Sequence, residues 1–404
     1  MPPYRSNLPL HIESAPRSDA AYGGKFRPDA ELSRRGGSRP QQRPRQPLWT
    51  RREVDAIDGP IFEAADPRRR DRVGGEQPLS SRLNPAPIPV SSEAPRRRTW
   101  TDLLVYGFLR LVLCCVQAME VQRTDRLCRT LAFVLARVLR VRHRLIEENL
   151  QRVFPDWPAE RRRETELKMW LHLLRMSCEV AHARRKIHRN NWYEHFRIPN
   201  RRAILEYVFD PRAKLLVTGH FGNFELAGFV TGVFGLPTTT IARELDNGYV
   251  HDYVTRFRST GGQHFISKDT AADSVQQLLE AGGTLTLLAD QDAGSRGVWV
   301  PFLGHYASCH KALALFTLSS GAPMLVVTNR RLKHIMQFEV RSIEAVDPLN
   351  AGDRRLEGVE ALTTWYNGCL EDDIRYCPEQ YWWVHRRWRQ PPARLAKKAS
   401  RLAA

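Results

Sequence analysis

Apolar positions are spread unevenly along the chain. Residues 1–98 carry no apolar periodicity of period 2 or 3.6, so they present neither a strand face nor a helix face to a core. The first sustained apolar run is WTDLLVYGFLRLVLCCVQAM, residues 100–119, interrupted by Arg110 and Gln117. Its apolar length of about 17 residues is close to the minimum for a helix that crosses a bilayer. A second apolar and basic helix is expected at 127–145, LCRTLAFVLARVLRVRHRL, where Arg129, Arg137, Arg140, Arg142 and Arg144 supply cationic tips able to reach headgroups. Residues 150–200 read as charged helix. From 213 onward the period changes: KLLVTG, TTTIA, QHFIS, TLTLLAD and PMLVVTN are short runs of strand-forming residues. Between them lie helix-length stretches, ELAGFVTGVFG, GYVHDYVTRFRST, DTAADSVQQLLEAG and HKALALFTLSSG. Strands alternating with helices predict an α/β fold with a largely parallel central sheet flanked by helices. KHIMQFEVRSIEAV (333–346) reads as a later antiparallel addition.

Composition sharpens the division. Residues 1–98 hold more than half of the chain's 26 prolines and the clusters Arg68–Arg70 and Arg96–Arg98. Too little apolar surface is present to offset the entropy of ordering, so 1–98 is expected to be a disordered basic tail. The organisation that follows is 1–98 tail, 99–145 membrane-anchoring or interfacial helices, 146–392 an α/β domain, and 393–404 a basic C-terminal tail. The net charge of +18 predicts an anionic partner: nucleic acid, an anionic membrane surface, or an acidic protein. The seven cysteines form no C-x-x-C pair, which argues against a zinc ribbon and suits a reducing compartment. No signal peptide is expected, since the first apolar run begins near 103.

The stretch LLVTGHFGNFELAG (215–228) carries the chemistry. In open α/β sheets ligands sit beyond the carboxyl ends of strands, and the strand from Lys214 delivers His220 there. Asn223 is a helix N-cap candidate, so Glu225 falls in the first turn of the next helix. On one continuous helix His220 and Glu225 would point roughly 140° apart. The loop through Gly222 and Asn223 can fold them together, letting Glu225 hold one imidazole nitrogen while the other takes a proton. The spacing differs from that of a zinc-binding H-E-x-x-H, and no serine or cysteine nucleophile accompanies the histidine in a G-x-S-x-G setting. The base is therefore expected to activate a hydroxyl of the substrate, with no metal and no cofactor.

GHFGNFELAG, with LLADQDAGSRGVWVPFLGHYAS (287–308), SGAPMLVV (320–327), PEQYWWVHRRWR (378–389) and the N-L-x-x-x-F-P element in RLIEENLQRVFPDW (144–157), resembles the lipid A biosynthesis acyltransferases. These belong to the wider glycerolipid acyltransferase-like superfamily. The resemblance runs in order from about residue 100 to 390. It implies a membrane-associated O-acyltransferase at the cytoplasmic face of the inner membrane. The acyl chain would pass from a thioester on acyl carrier protein or coenzyme A to a lipid hydroxyl, most readily that of a lipid A precursor. In that setting His220 is the expected general base and Glu225 its orienting carboxylate. Exposed backbone N–H groups at the start of the helix from Phe224, or a nearby arginine, are candidate oxyanion donors, with Gly222 and Asn223 as oxyanion or loop residues before it. Arg243 is a candidate partner for a substrate phosphate or the oxyanion, and an ordinary solvated arginine otherwise. Asp290, Gln291 and Asp292 close the strand TLTLLAD and are expected to face the same crevice. Arg386 and Arg387, among the aromatics of the last motif, are candidate headgroup contacts. VWVPFLG (298–304) suits an acyl-chain lining or ordinary core. Where the family commonly has a threonine-and-glycine pattern, this sequence has Ser308-Cys309-His310-Lys311, which makes Cys309 an alternative acyl-accepting nucleophile.

Two rivals stand beside this reading. Another acceptor, a glycerophospholipid or a mannosylated phosphatidylinositol, would use the same dyad, because any activated hydroxyl satisfies it. A basic nucleic-acid-binding protein would explain the charge and could stack bases on the aromatics of 378–389. It shows no recognised module spacing and leaves the apolar run at 103–119 unexplained, so no nucleic acid is expected.

Overall fold

The structure, a computed structural model, describes residues 98–390 apart from 243, 268–270 and 351. The expected tails at 1–98 and 393–404 fall almost wholly outside those residues, and Arg243 falls outside them too. Four helices come first: α1 (Trp100–Ala118), α2 (Val121–Phe133, continued by a wider turn over Val134–Val138), α3 (His143–Val153) and α4 (Ala159–Lys186). The α/β part follows as β1 (Phe196–Arg197), α5 (Arg201–Val208), β2 (Lys214–Thr218), α6 (Phe224–Val233), β3 (Thr238–Ala242), α7 (Gly248–Thr260), β4 (Gln263–Ser267), α8 (Ala271–Glu280) and β5 (Thr284–Leu288). A hairpin, β6 (Val298–Phe302) and β7 (His305–Cys309), precedes α9 (Ala312–Ser320), β8 (Met324–Arg331), β9 (Phe338–Val346) and α10 (Val359–Tyr376).

The strands read as β-type from the sequence all form, and they lie in one seven-stranded sheet of order β1-β9-β8-β2-β5-β3-β4. From β8 to β4 every neighbour is parallel, and β9 runs antiparallel to β8. Central β2 is buried along its whole length, as a parallel strand covered on both faces must be. Its flanking strands interleave non-consecutive segments, and β2 pairs β5 in register from Lys214–Thr284 to Thr218–Leu288. The first residues beyond that ladder are held together by Ala289 N–H donating to Thr218 O at 2.8 Å. The ends of β2 and β5 therefore leave the sheet side by side. The hairpin was not resolved by period alone, because VWVPF also reads as core. Its turn at Leu303-Gly304 has both φ angles positive, 51° and 84°, which is the conformation a tight two-residue hairpin requires. Val300 and Phe302 are buried, and Phe302 joins the main core.

The two leading helices behave differently from the rest. None of α1 is buried. Its polar positions nevertheless face protein. Asn247 Nδ2 donates to Asp102 O at 2.9 Å, Tyr106 stacks on Tyr249 with centroids 5.9 Å apart, and Arg110 sits 4.8 Å over the ring of Tyr253. Gln117 Nε2 donates to Ala181 O on α4 at 2.9 Å. Arg110 and Gln117, the residues that interrupt the apolar run, are thus its docking contacts. Trp100, Leu104, Phe108 and Leu111 remain exposed, as do Phe133, Val138 and Leu139 at the end of α2. α1 is long and apolar enough to cross a membrane.

Each large apolar side chain transferred from water to lipid contributes about 1.5–3 kcal/mol. The double substitution Phe108→Glu with Leu111→Glu is accordingly expected to move the protein from the detergent-extracted to the salt-extracted membrane fraction, with unchanged melting of the α/β part. Retention in the detergent fraction would show that α1 is not what holds it there.

Candidate active site

His220 stands at the end of β2 because Gly219 lets the chain approach its neighbour strand: a side chain at 219 would meet Asp290 Cγ at 3.3 Å. Two residues beyond the Thr218–Leu288 pair, His220 and Asp290 face each other. Asp290 Oδ1 lies 2.8 Å from His220 Nδ1, and Oδ2 accepts the His220 backbone N–H at 2.9 Å. The carboxylate so fixes both the ring and the backbone of one residue. With Nδ1–H donating to Asp290, the lone pair is on Nε2, and the Gln291 amide nitrogen donates to it at 3.1 Å. Phe224 packs edge-on to the imidazole at 4.9 Å and Trp382 lies 4.6 Å away on a tilted plane.

Asp290 is almost fully buried, and burial pushes its carboxyl upward. The facing imidazole, its two hydrogen bonds and the Arg387 guanidinium outweigh burial and hold it below the ordinary carboxylate range. The Tyr381 phenol, buried next to that carboxylate, is pushed well up and stays protonated. His385, whose Nε2 accepts the Asp292 N–H at 3.2 Å, is lowered by burial, consistent with a neutral acceptor ring.

The expected site residues divide. His220, Asp290 and Gln291 come together, and Asn223 is the N-cap of α6, accepting the Leu226 N–H at 3.1 Å. Glu225 is a correction. Its carboxylate takes Arg258 in a two-pronged pair, with Nε at 3.1 Å from Oε2, and the imidazole nitrogen expected for it is held by Asp290. The reason is topological: parallel pairing puts the β5 end next to the β2 end, while α6 starts beyond the turn at Gly222. The N–H groups of Gly222 and Asn223 are engaged within the protein, donating to Gln380 O at 3.0 Å and Asn329 O at 2.9 Å. Asp292 pairs with Arg389 at 2.9 Å. Arg386 is exposed. Arg387 is a second correction. It is 1% exposed and donates to Ser308 O at 2.7 Å and Cys309 Sγ at 2.8 Å, which makes it internal support rather than a headgroup contact. Cys309 is itself fully buried, with Asn367 Nδ2 also on its sulfur. Tyr381, Trp383 and Trp388 are buried and Trp382 lies on His220, so these rings offer no open platform for bases. Among the described residues no cluster of His, Cys, Asp and Glu could hold a metal ion.

Sequence reasoning missed a buried set behind this loop: Glu179 and His172 on α4 and Arg331 on β8. The signal was present. Thr165, Met169, His172, Glu179 and Ala183 fall on one face of α4, and a histidine and a glutamate seven residues apart on a buried stripe need partners.

Comparison with known proteins places the chain in a family. The bacterial lipid A biosynthesis acyltransferase family matches residues 90–390, and the chain belongs to it. It is 24% identical to the lipid A biosynthesis lauroyltransferase of Escherichia coli (strain K12) over 310 residues, 73% of this chain and 93% of that protein. It is 29% identical over 184 residues to the lipid A biosynthesis palmitoleoyltransferase of the same organism and to the lipid A biosynthesis acyltransferase of Shigella flexneri. Those two matches span 45% of this chain and 57% of each relative, a little over half of their length.

Two expectations follow from the loop and the carboxylate. Gly222 has φ +60°, and a Cβ there would lie 2.0 Å from Asn329 O. Gly222→Ala should therefore destabilise the protein by at least about 2 kcal/mol, read as a lower midpoint in denaturant, since both the left-handed backbone and the close approach are lost. Asp290, with its folded pKa depressed, contributes stability that is present above its unfolded value of about 3.9 and lost as pH falls through the lower folded value. Asp290→Asn should flatten the acid limb of stability against pH below about 4. An unchanged acid limb would mean that the carboxylate carries no linkage.

Proposed function

We propose that this protein transfers a fatty acyl chain from a thioester to a hydroxyl of a lipid A precursor, with His220 Nε2 as the general base. The arrangement that carries the reading is the imidazole itself: Nδ1 is fixed on buried Asp290 and Nε2 turns its lone pair to Gln291. An acceptor hydroxyl that replaces the Gln291 amide would meet that lone pair directly. Nε2 takes the hydroxyl proton, the oxygen bonds to the thioester carbonyl carbon, and the carbon–sulfur bond breaks. The thiolate then leaves with the proton held on Nε2. Asp290 stabilises the imidazolium in between. A positioned base supplies roughly 10²–10⁴ in rate, so alignment and oxyanion stabilisation supply the rest. The helix start at Phe224 and the unassigned Arg243 are the places to seek oxyanion donors. Glu225 enters as the anchor of α7 through Arg258 rather than as the orienting carboxylate. The family and the exposed apolar face of α1 support a membrane-associated enzyme. In this reading it works at the cytoplasmic face of the inner membrane, with acyl carrier protein or coenzyme A as donor carrier.

The test is acyl transfer by detergent-solubilised protein, offered both thioesters and a panel of lipid A precursor, glycerophospholipid and mannosylated phosphatidylinositol acceptors. Transfer to the lipid A precursor is expected. His220→Ala should lower kcat by on the order of 10³-fold and Asp290→Asn by on the order of 10²-fold or more, with both proteins folded. Glu225→Gln should cost less than about tenfold in kcat, with a lower melting temperature. Equal losses in Glu225→Gln and Asp290→Asn would return Glu225 to the reaction. Undiminished transfer in His220→Ala would remove the base.

A further inference from the structure

Behind the catalytic loop lies a polar circuit that the reaction itself does not use. Arg331, at the end of β8, donates from Nε to Glu179 Oε1 at 3.0 Å and from Nη2 to Oε2. Its third nitrogen, Nη1, donates to His172 Nδ1. An imidazole that accepts at Nδ1 carries its proton at Nε2, and His172 Nε2 lies 3.1 Å from Gly222 O. Burial and the adjacent guanidinium push His172 well below its ordinary range, which keeps the ring in this neutral form. The backbone of Arg331 makes the return path. Its N–H donates to Gln380 Oε1 at 2.8 Å, Gln380 Nε2 donates to Arg331 O at 2.9 Å, and Gln380 O accepts the Gly222 N–H at 3.0 Å. The two peptide units that meet at Gly222, two residues after the base, are thus each held by a group that traces to a single arginine: the first through the Gly222 N–H, the second through the Gly222 C=O. Glu179 ties in the next residue as well, accepting Asn223 Nδ2 at 2.9 Å.

We propose that Arg331, acting through His172 and Gln380, is a positioning clamp that holds the two peptides meeting at Gly222 and thereby the aim of His220. Apolar residues could fill this volume with less desolvation, so packing alone does not account for a buried ionic set here. Orientation does: holding the peptide planes on both sides of the Gly222 Cα fixes the backbone turn between them, at φ +60°, and the ring two residues away inherits it. Arg331, His172, Glu179 and Gln380 are positioning residues, since none touches the imidazole of His220. The inference rests on the acyl-transfer reading for its kinetic readout and on backbone protection for a readout independent of it.

His172 is the member to change, because it is neutral and its removal leaves the Glu179–Arg331 pair intact. Glutamine at 172 can accept from Arg331 and donate to Gly222 O. Asparagine is too short to span them, and leucine does neither. With an acceptor that the wild type acylates, His172→Leu and His172→Asn are expected to lower kcat by on the order of 10²-fold with KM within about threefold. His172→Gln should recover to within about tenfold of wild type. Hydrogen exchange of the peptide covering residues 218–224 should accelerate in the leucine and asparagine variants and return in the glutamine variant. If His172→Leu does not fold, the asparagine and glutamine variants carry the comparison. Wild-type kcat and exchange in His172→Asn, or a glutamine variant as impaired as the asparagine one, would overturn the clamp. Absence of transfer by wild-type protein would sink the acyl-transfer reading, and exchange alone would then decide whether the peptide is held this way.

Discussion

The pairing of β2 with β5 sets an imidazole against a carboxylate buried at a depth where its charge would not be stable alone. Asp290 is about as buried as the core leucines around it, and a lone ionised carboxylate there would carry a desolvation cost of several kcal/mol. The cost is offset by two hydrogen bonds to a single residue and by the Arg387 guanidinium further in. Parallel register makes the pair possible, since equal numbers of residues past the Thr218–Leu288 rung bring the two side chains level. A one-residue slip would turn one of them to the opposite face of the sheet. The site therefore depends on the ladder, and the ladder on the apolar residues that bury β2.

The same dependence explains why distant segments converge on this end of the sheet. The C-terminal run folds back across the mouth, with Trp382 N–H on His220 O at 3.1 Å and its ring against the imidazole. That run is gripped in turn from the N-terminal side. Asn149 Nδ2 donates to both Trp383 O and His385 O, at 2.8 and 2.9 Å, and Arg142 Nη1 donates to Val384 O at 2.8 Å. Phe154 of the N-L-x-x-x-F-P element meets Trp383 edge-on at 6.1 Å. Two motifs separated by more than 200 residues thus form one contact.

Much of this was legible in the sequence, and the limit is physical. Strand and helix periods located every strand from β2 to β5 and β8, the N-cap at Asn223 and the antiparallel β9, because each is a local signal. His220 was reachable by the rule that strand ends face the ligand crevice. Its partner was misassigned to Glu225, five residues away, because proximity in sequence stood in for proximity in space. The actual partner is 70 residues distant and is adjacent only through strand order, which alternating strands and helices leave open. Arg387 shows the converse limit. In a run as polar as HRRWR nothing local distinguishes the buried arginine from the exposed Arg386 beside it.

Charge is distributed unevenly between the interior and the exposed leading helices. The net charge of +18 points to anionic surroundings, but the arginines split into two populations by what they meet. Arg212, Arg258 and Arg331 are taken up by internal carboxylates, where they hold elements together and are unavailable to a partner. Arg126 and Arg140 are exposed on and after α2, as are Phe133, Val138 and Leu139. Apolar rings and chains with arginines around them match the depth profile of a bilayer surface, apolar inward and phosphate outward. A nucleic acid would satisfy the guanidinium groups and leave Trp100, Leu104 and Phe108 of α1 in water. A lipid surface satisfies both sets at once, and it is also where an acceptor with long acyl chains would be met.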